Sequence, residues 1–475
     1  MKIFPGELAW TMGLCLALTL GCSEAPGDLA NDSQVADMVS PLEGGAQDGA
    51  VVGDSTVDGK VTSDGASPNV DGPLPAANVC VPLPAPSGTI VTVTPSQASD
   101  LSSILASAQS GTTIALEDGT YLMEGNESQR RLQFNVSGVT LRSASGDRNK
   151  VIIDGEYQTL EMITVQADDV TIADLTLRRA VDHLIHTTGN NSKTITGLRL
   201  HNLKLVDSGE QFVKVSSDGD GHYVDDGRLE CCDFEMTDAG RPHIESNYGG
   251  CYTGGIDAHS SRGWQVRLNT FKGIYCTNGS LAEHAIHFWD AARDTLVERN
   301  TIIDCARGVG FGLLESKDGA RTYADNPYPN VGYIGHIDGI IRNNVIHAGG
   351  AAAAYFDTAI ELSQARGASV YHNTIASEPT YTSISYRFAN TVADIRNNLT
   401  FKISQRDGAT ATVDHNLEAT PASLFVDPAN ANYRLKASAS QAIDQGVVVG
   451  EAGLDLEGVA HDVGLPDLGA YEYSP

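Results

Sequence analysis

V-R-L-N-T-F (266–271), V-E-R-N-T-I (297–302), I-R-N-N-V-I (341–346) and V-Y-H-N-T-I (370–375) repeat one phrase. Its form is aliphatic, two variable residues, Asn, one residue, aliphatic. Ile395 with Asn398 and Val413 with Asn416 carry it further, and the six asparagines are separated by 31, 44, 29, 25 and 18 residues. A unit that returns every few tens of residues is the mark of a solenoid. Each unit holds short β-branched stretches and no convincing helix, which points to stacked coils of β-strands. The Asn slot sits at a bend, where a side-chain amide can stack on the next coil and hydrogen-bond its backbone. Looser phrases upstream put Asp233, Asn202 and Asp174 in the same slot. The expectation is an all-β chain, a single-stranded right-handed parallel β-helix with a short N-terminal capping helix.

Outside the coils the chain divides by composition. Residues 1–22 read as an export signal of lipoprotein type, with Lys2 ahead of an apolar run and T-L-G-C placing Cys22 where a lipid would be attached. The apolar run is too short for a transmembrane helix. Residues 23–79 carry ten acids and one lysine among Asp, Gly, Ser and Pro, the composition of a tether that cannot fold. Residues 80–475 form the β-helix. Within it, 80–130 is an N-terminal cap: the Thr89–Thr94 stretch, then Leu101, Ile104, Leu105 and Ala108 at helical spacing, then Gly111. Residues 426–475, with Q-A-I-D-Q-G (441–446) and D-L-G-A-Y-E-Y (467–473), resemble the closing segment of secreted β-helix proteins.

Net charge is −29, of which roughly −20 falls on residues 80–475. That excludes sequence-independent binding to nucleic acid. Six cysteines remain beyond the signal, an even number that suggests disulfides in an exported protein without fixing their pairing. Adjacent Cys231 and Cys232 would face opposite sides of a strand, so one of them belongs to the core. The protein is expected outside the cytoplasm, as an outer-membrane or surface lipoprotein or in secreted form. It would touch membrane only through the anchor, and a monomer is expected.

Stacking brings residues from distant coils into line about 4.8 Å apart. Aligning Ile185, Val213, Ile256, Ile286, Val309 and Ile360 inward makes His186, Lys214, Asp257, His287, Gly310 and Glu361 point outward. Two residues on, the same face holds Thr188, Ser216, His259, Trp289, Gly312 and Ser363, and Arg387 falls near the end. So many ionisable groups beside an aromatic suit a polysaccharide: the ring stacks on a sugar and the charges do acid–base work. The glycines 310 and 312 would leave a hollow. His284, three residues from His287, would face the opposite side and be structural. Were that stretch helical, E-H-x-x-H would suggest a metal; as a strand it assigns none. Arg241, in an excursion between coils, could cap the groove. The acidic loop D-G-D-G-H-Y-V-D-D-G (218–227) admits calcium but lacks EF-hand spacing.

G-G-I-D-A-H (254–259) resembles the D-P-H motif of β-helical alginate C5-epimerases. The resemblance puts Asp257 and His259 in the Asp and His places and Lys214 on the preceding coil. Gly254 stands where that family has a tyrosine, and Ala258 where it has the proline. More broadly, the coils resemble right-handed β-helix carbohydrate-active proteins: lyases, epimerases and hydrolases. A lyase or epimerase acting on an acidic glycan would use Lys214, Asp257, His259 and His287 catalytically. Arg241, Trp289, Asp290, Glu361 and Arg387 would bind substrate, with calcium as a substitute cation. A glycoside hydrolase would instead pair Asp257 with Asp290, since Asp257 and Glu361 lie three coils apart. A non-catalytic glycan-binding or adhesion protein is the third reading.

Overall fold

The computed structural model describes residues 80–247, 250–461 and 464–474. The signal, Cys22 and the tether lie outside them. Successive turns of the chain lay strands into three long sheets whose neighbours all run parallel. The first starts with Thr89–Val93 and Thr112–Leu116 and ends with Val392–Arg396 and Thr410–Asp414. The second runs from Gly119–Leu122 to Thr374–Ile375, and the third, of 10 strands, from Leu132–Phe134 to Ile403–Gln405. The chain is a parallel β-helix, and crossovers between parallel strands take the right hand.

What holds each sheet in register is its inward column. In the first sheet Ile114, Leu141, Ile172, Leu200, Leu229, Val266, Val297, Ile341, Val370 and Ile395 pair in succession. All are buried completely. Burying one such side chain contributes about 1.5–3 kcal/mol. A slip of one residue would turn the whole column outward, so register is strongly specified.

Between the first and second sheets the repeated Asn makes a ladder. The side-chain amide nitrogens of Asn269, Asn300, Asn344, Asn373 and Asn398 each donate to the Oδ1 of the next Asn at 2.8–3.0 Å. The backbone N–H of each donates to that same Oδ1 at 2.9–3.1 Å. The residue before each Asn is left-handed, from Leu268 (φ 59°) to His415 (φ 46°), which turns the corner.

Upstream, the slot is filled otherwise than the sequence suggested. Thr270 pairs with Asp233, Asp233 with Lys204 and Lys204 with Thr176. The residues that stack under Asn269 are therefore Cys232, Leu203 and Leu175. Asn202 (φ 51°) and Asp174 (φ 58°) occupy the left-handed position one residue earlier, and Asp233 begins the next strand. Asn and Asp also favour left-handed backbone, so their presence at the bend was misassigned by one residue. The ladder ends on the backbone N–H of Cys232, which donates to Asn269 Oδ1 at 2.9 Å.

The cap holds the expected helix, Leu101–Ala106, with Leu101 and Leu105 buried, after a 3₁₀ turn at Pro95–Asp100. Disulfides join Cys80 to Cys231 and Cys251 to Cys276, while Cys232 and Cys305 are free and buried. Cys231, in a left-handed bend (φ 62°) and not in a strand, carries the disulfide, and Cys232 belongs to the core. Disulfides fit an oxidising compartment. The closing segment folds back along the ladder corner: Arg342 Nη1 donates to Glu451 O, and Asn343 Nδ2 to Ala452 O. Asn397 Nδ2 likewise donates to Val447 O, at 2.7 Å.

Candidate active site

The third sheet carries the ionisable strip, in the register the sequence implied. His186 pairs with Lys214, Lys214 with Asp257, Asp257 with His287, His287 with Gly310 and Gly310 with Glu361. His259 pairs with Trp289, and Ser363 with Arg387.

At its centre Asp257 gathers three donors. Its Oδ2 lies 2.6 Å from Lys214 Nζ and 3.0 Å from His259 Nε2, and Trp289 Nε1 donates to its Oδ1 at 2.8 Å. A carboxylate only accepts, so the proton in the His259 contact sits on His259 Nε2. Lys214 Nζ and His259 Nε2, 3.1 Å apart, are then two donors sharing one oxygen. This leaves the His259 Nδ1 lone pair as the ring's basic atom. Burial opposes ionisation of Asp257, but Lys214 and His259 outweigh it and hold the carboxyl well below the usual carboxylate range. His259 (side chain 16% exposed) and Lys214 (12%) reach the surface, whereas Asp257 (4%) sits beneath them.

His287 lies one coil on, 2% exposed, with Nδ1 3.5 Å from Asp257 Oδ1 and Nε2 donating to the Gly312 carbonyl at 3.2 Å. Burial, reinforced by neighbouring His284, pushes it down to about 4.

His284 is not on the opposite side. Its ring centroid is 4.5 Å from that of His287, and its nitrogens lie 3.8 Å from Glu283 Oε2 and 3.7 Å from Glu361 Oε2. Burial works against its charge, but those two carboxylates win and raise its pKa. The cause is a corner in the strand: Ala285 and Ile286 are consecutive and both belong to the core. Strict alternation fails there, and residues i and i+3 share the outer face. The column Gly255, Ala285, Gly308, Ala359 was the available signal: a Cβ at Gly255 would meet the Phe271 ring at 2.6 Å, and one at Gly308 would meet Ala359 O at 2.2 Å. Leu184 and Ile185 make the same corner between His183 and His186.

The expected hollow at Gly310 is filled by His284, whose Nε2 would lie 2.8 Å from a Cβ added there. With the ring boxed in, Gly310→Ala should lower unfolding free energy by about 1–3 kcal/mol, measured by chemical denaturation.

Other assigned residues are placed apart. Arg241, 6% exposed, donates to Gly273 O at 3.1 Å and to Tyr275 O, and its guanidinium lies 3.7 Å over the Tyr275 ring. It clamps an excursion to the coil beneath, and its donors go to those carbonyls, to Met236 Sδ and to Asp238 Oδ1. Glu361 stands three coils from Asp257, about 14 Å away at the strand spacing. Its Oε1 accepts from Ser363 Oγ at 2.9 Å. Arg387 stands four coils from His259 and pairs with Asp407 at 3.2 Å. Asp290 pairs with Lys317 at 2.6 Å, and Lys317 Nζ lies 5.3 Å over the Trp289 ring. Lys317 and Arg307 were not anticipated: Lys317 comes from an excursion whose length varies freely, and Arg307 opens the strand Arg307–Phe311, ahead of the aligned Val309. In the 218–227 loop, Asp218 caps its own turn through the N–H groups of Asp220 and His222, and Asp225 chelates Arg321 at 2.7 Å through both oxygens. A hollow of about 540 Å³ beside Arg434 and Tyr473 belongs to the closing segment and holds none of these groups.

No family profile matches this sequence, and no curated protein matches it. Among solved structures, the pectate lyase Pel9A is 15% identical with a TM-score of 0.45, over 82% of this chain and 97% of that one. An alginate lyase from Paenibacillus sp. str. FPU-7 is 16% identical with a TM-score of 0.42, over 70% of this chain and 98% of that one. A lacto-N-biosidase from Eubacterium ramulus is 10% identical with a TM-score of 0.47, over 70% of this chain and 68% of that one. At these values the comparisons bear on chain path only, and the chemistry below rests on the side chains described above.

Proposed function

We propose that the third sheet binds an acidic polysaccharide and removes the C5 proton of a uronate, as a lyase does. One observation carries this reading: the Lys214–Asp257–His259 triangle, with its carboxylate buried and its base and cation at the surface. The C5–H bond is weakly acidic because it lies α to a carboxylate. A cation must neutralise that carboxylate while a positioned base takes the proton. Lys214 keeps N–H bonds beyond the one given to Asp257 and supplies the cation. His259 Nδ1 takes the proton, and Asp257 stabilises the resulting imidazolium through Nε2–H. The C5–H electrons form the C4–C5 double bond, the C4–O4 bond breaks, and the imidazolium returns its proton to O4. Epimerisation would need a donor on the far side of C5, and Gly254 holds the place where the resembling family has a tyrosine. Elimination is therefore favoured over epimerisation. Hydrolysis fits less well, because Asp257 is buried beneath Lys214 and His259 and Asp290 is paired with Lys317 at 2.6 Å, which leaves neither carboxyl free to act on a sugar.

The test is to incubate the protein with alginate, pectate and glycosaminoglycans and follow ultraviolet absorbance of the unsaturated product. Rising absorbance with one of them is the expected result. Reducing ends without absorbance would replace elimination by hydrolysis. Binding without turnover, unchanged in Lys214→Ala, would make the face a docking surface only.

A further inference from the structure

Glu283, His284 and His287 converge without satisfying one another. Glu283 Oε2 lies 3.8 Å from His284 Nδ1 and 3.8 Å from His287 Nδ1, and the three residues' ligand atoms fall within 4.8 Å of each other. These separations are too long for hydrogen bonds. Glu283 Oε2 and both nitrogens of His284 are buried with no hydrogen-bond partner. A buried polar atom left unpaired costs about 1–3 kcal/mol. Three such atoms on touching residues mark a place that an occupant would complete.

We propose that Glu283, His284 and His287 form a binding site for a divalent transition metal of the zinc class. Two imidazoles and one carboxylate are a donor set such ions favour, whereas calcium prefers oxygen alone. Ligands on a tetrahedral zinc with 2.0–2.1 Å bonds stand about 3.4 Å apart, a few tenths less than the two 3.8 Å distances from Glu283 to the histidines. His287 is held from behind by a hydrogen bond, as metal-bound imidazoles usually are. His287 Nε2 donates to the Gly312 carbonyl at 3.2 Å, which leaves Nδ1 between Glu283 Oε2 at 3.8 Å and Asp257 Oδ1 at 3.5 Å. His284 Nε2 lies 3.7 Å from Glu361 Oε2, too far for a hydrogen bond, and its Nδ1 lies on the Glu283 side. Arg307 stays 3.9 Å from Glu283 Oε2, beyond hydrogen-bond reach. A proton on His284 alone would satisfy neither His287 Nδ1 nor the gap to Glu283. The corner at Ala285–Ile286 is what makes the site: it brings both imidazoles of E-H-A-I-H to one face. Metal binding here needs no substrate and is separate from the uronate reading; if both hold, the ion places positive charge one coil from Asp257.

One competing set exists among the described residues: Glu161, His183 and His186. There His183 Nδ1 donates to Gln211 O at 3.0 Å and His186 Nδ1 is already hydrogen-bonded to Glu161. The experiment strips the full-length protein with a chelator and titrates Zn²⁺ by calorimetry, with circular dichroism to confirm folding. Wild type should bind Zn²⁺, and Glu283→Gln and His284→Gln should each weaken it by at least about 100-fold. His183→Gln should leave that event in place. No uptake by wild type, or uptake that survives both variants, overturns the proposal; so does loss confined to His183→Gln. Should the variants misfold, Co²⁺ in the wild type decides: strong visible bands of a tetrahedral nitrogen–oxygen site support the assignment, and a weak octahedral spectrum overturns it. None of these readouts involves a glycan, so failure here leaves the elimination reading to its own assay.

Discussion

His259→Ala is expected to lower kcat on a susceptible uronate polymer by about 10²–10⁴-fold, the range a positioned base contributes to proton transfer. The substitution removes the lone pair proposed to take the C5 proton yet leaves Lys214 and Asp257 paired at 2.6 Å. Ground-state binding should therefore change far less than turnover, which places the lost interaction in the transition state. Lys214→Ala should behave differently. It strips the substrate carboxylate of its cation and leaves buried Asp257 with His259 and Trp289 as its remaining donors. Both KM and kcat should suffer, and the double variant should cost less than the product of the two singles, because the groups act as one unit. Product absorbance under single-turnover conditions separates these cases. A His259→Ala protein that keeps more than about a tenth of wild-type turnover would show that the base lies elsewhere.

The second large effect is structural. Asn344→Ala is expected to destabilise the coil stack by about 4 kcal/mol or more, because a mid-ladder Asn serves two coils at once. Its amide donates to Asn373 Oδ1 at 2.9 Å and to Val297 O at 3.1 Å. Its Oδ1 accepts from the Asn300 amide at 3.0 Å and from the Asn300 backbone N–H at 2.9 Å. Alanine removes all four bonds and strands donors and acceptors that are fully buried. Asn344→Asp should rescue only the accepting half, and it places a charge where no cation waits. At the last rung the effect should shrink: Asn416 is half-buried, and water can replace what alanine removes. Denaturation and amide hydrogen exchange would measure both. Equal losses at 344 and 416 would mean that the ladder is not the source of the stability.

The coil architecture and the strip were legible because two periodicities agree. The Asn phrase marks one corner of each coil from Asn269 onward, and the inward aliphatics fix the phase of each strand. His186, Lys214, Asp257, His287, Gly310 and Glu361 follow from counting two residues at a time. What escaped this counting is where alternation breaks. At Leu184–Ile185 and Ala285–Ile286 the strand turns inward twice in succession, so His183 and His284 join the outer face. The small residues at 255, 285, 308 and 359 carried that information, but their meaning depends on knowing which core ring lies opposite. The upstream ladder slot was missed for a related reason: Asn202 and Asp174 satisfy the left-handed bend, and polarity alone does not separate that position from its neighbour. Arg241 was misjudged because a long side chain in an excursion reveals nothing in sequence about which carbonyls it will meet.

The intervals between rungs vary from 18 to 44 residues, yet every rung has the same geometry. Spacing along the chain is thus free while spacing through space is fixed. The stretch 312–335, which supplies Lys317 beside Trp289, lies within the longest interval, between Asn300 and Asn344. Insertions or deletions there would reshape the border of the third sheet's ionisable face without disturbing a single amide rung. A scaffold built this way lets the recognition rim drift in length over generations, or be swapped by an engineer, while the backbone beneath stays put.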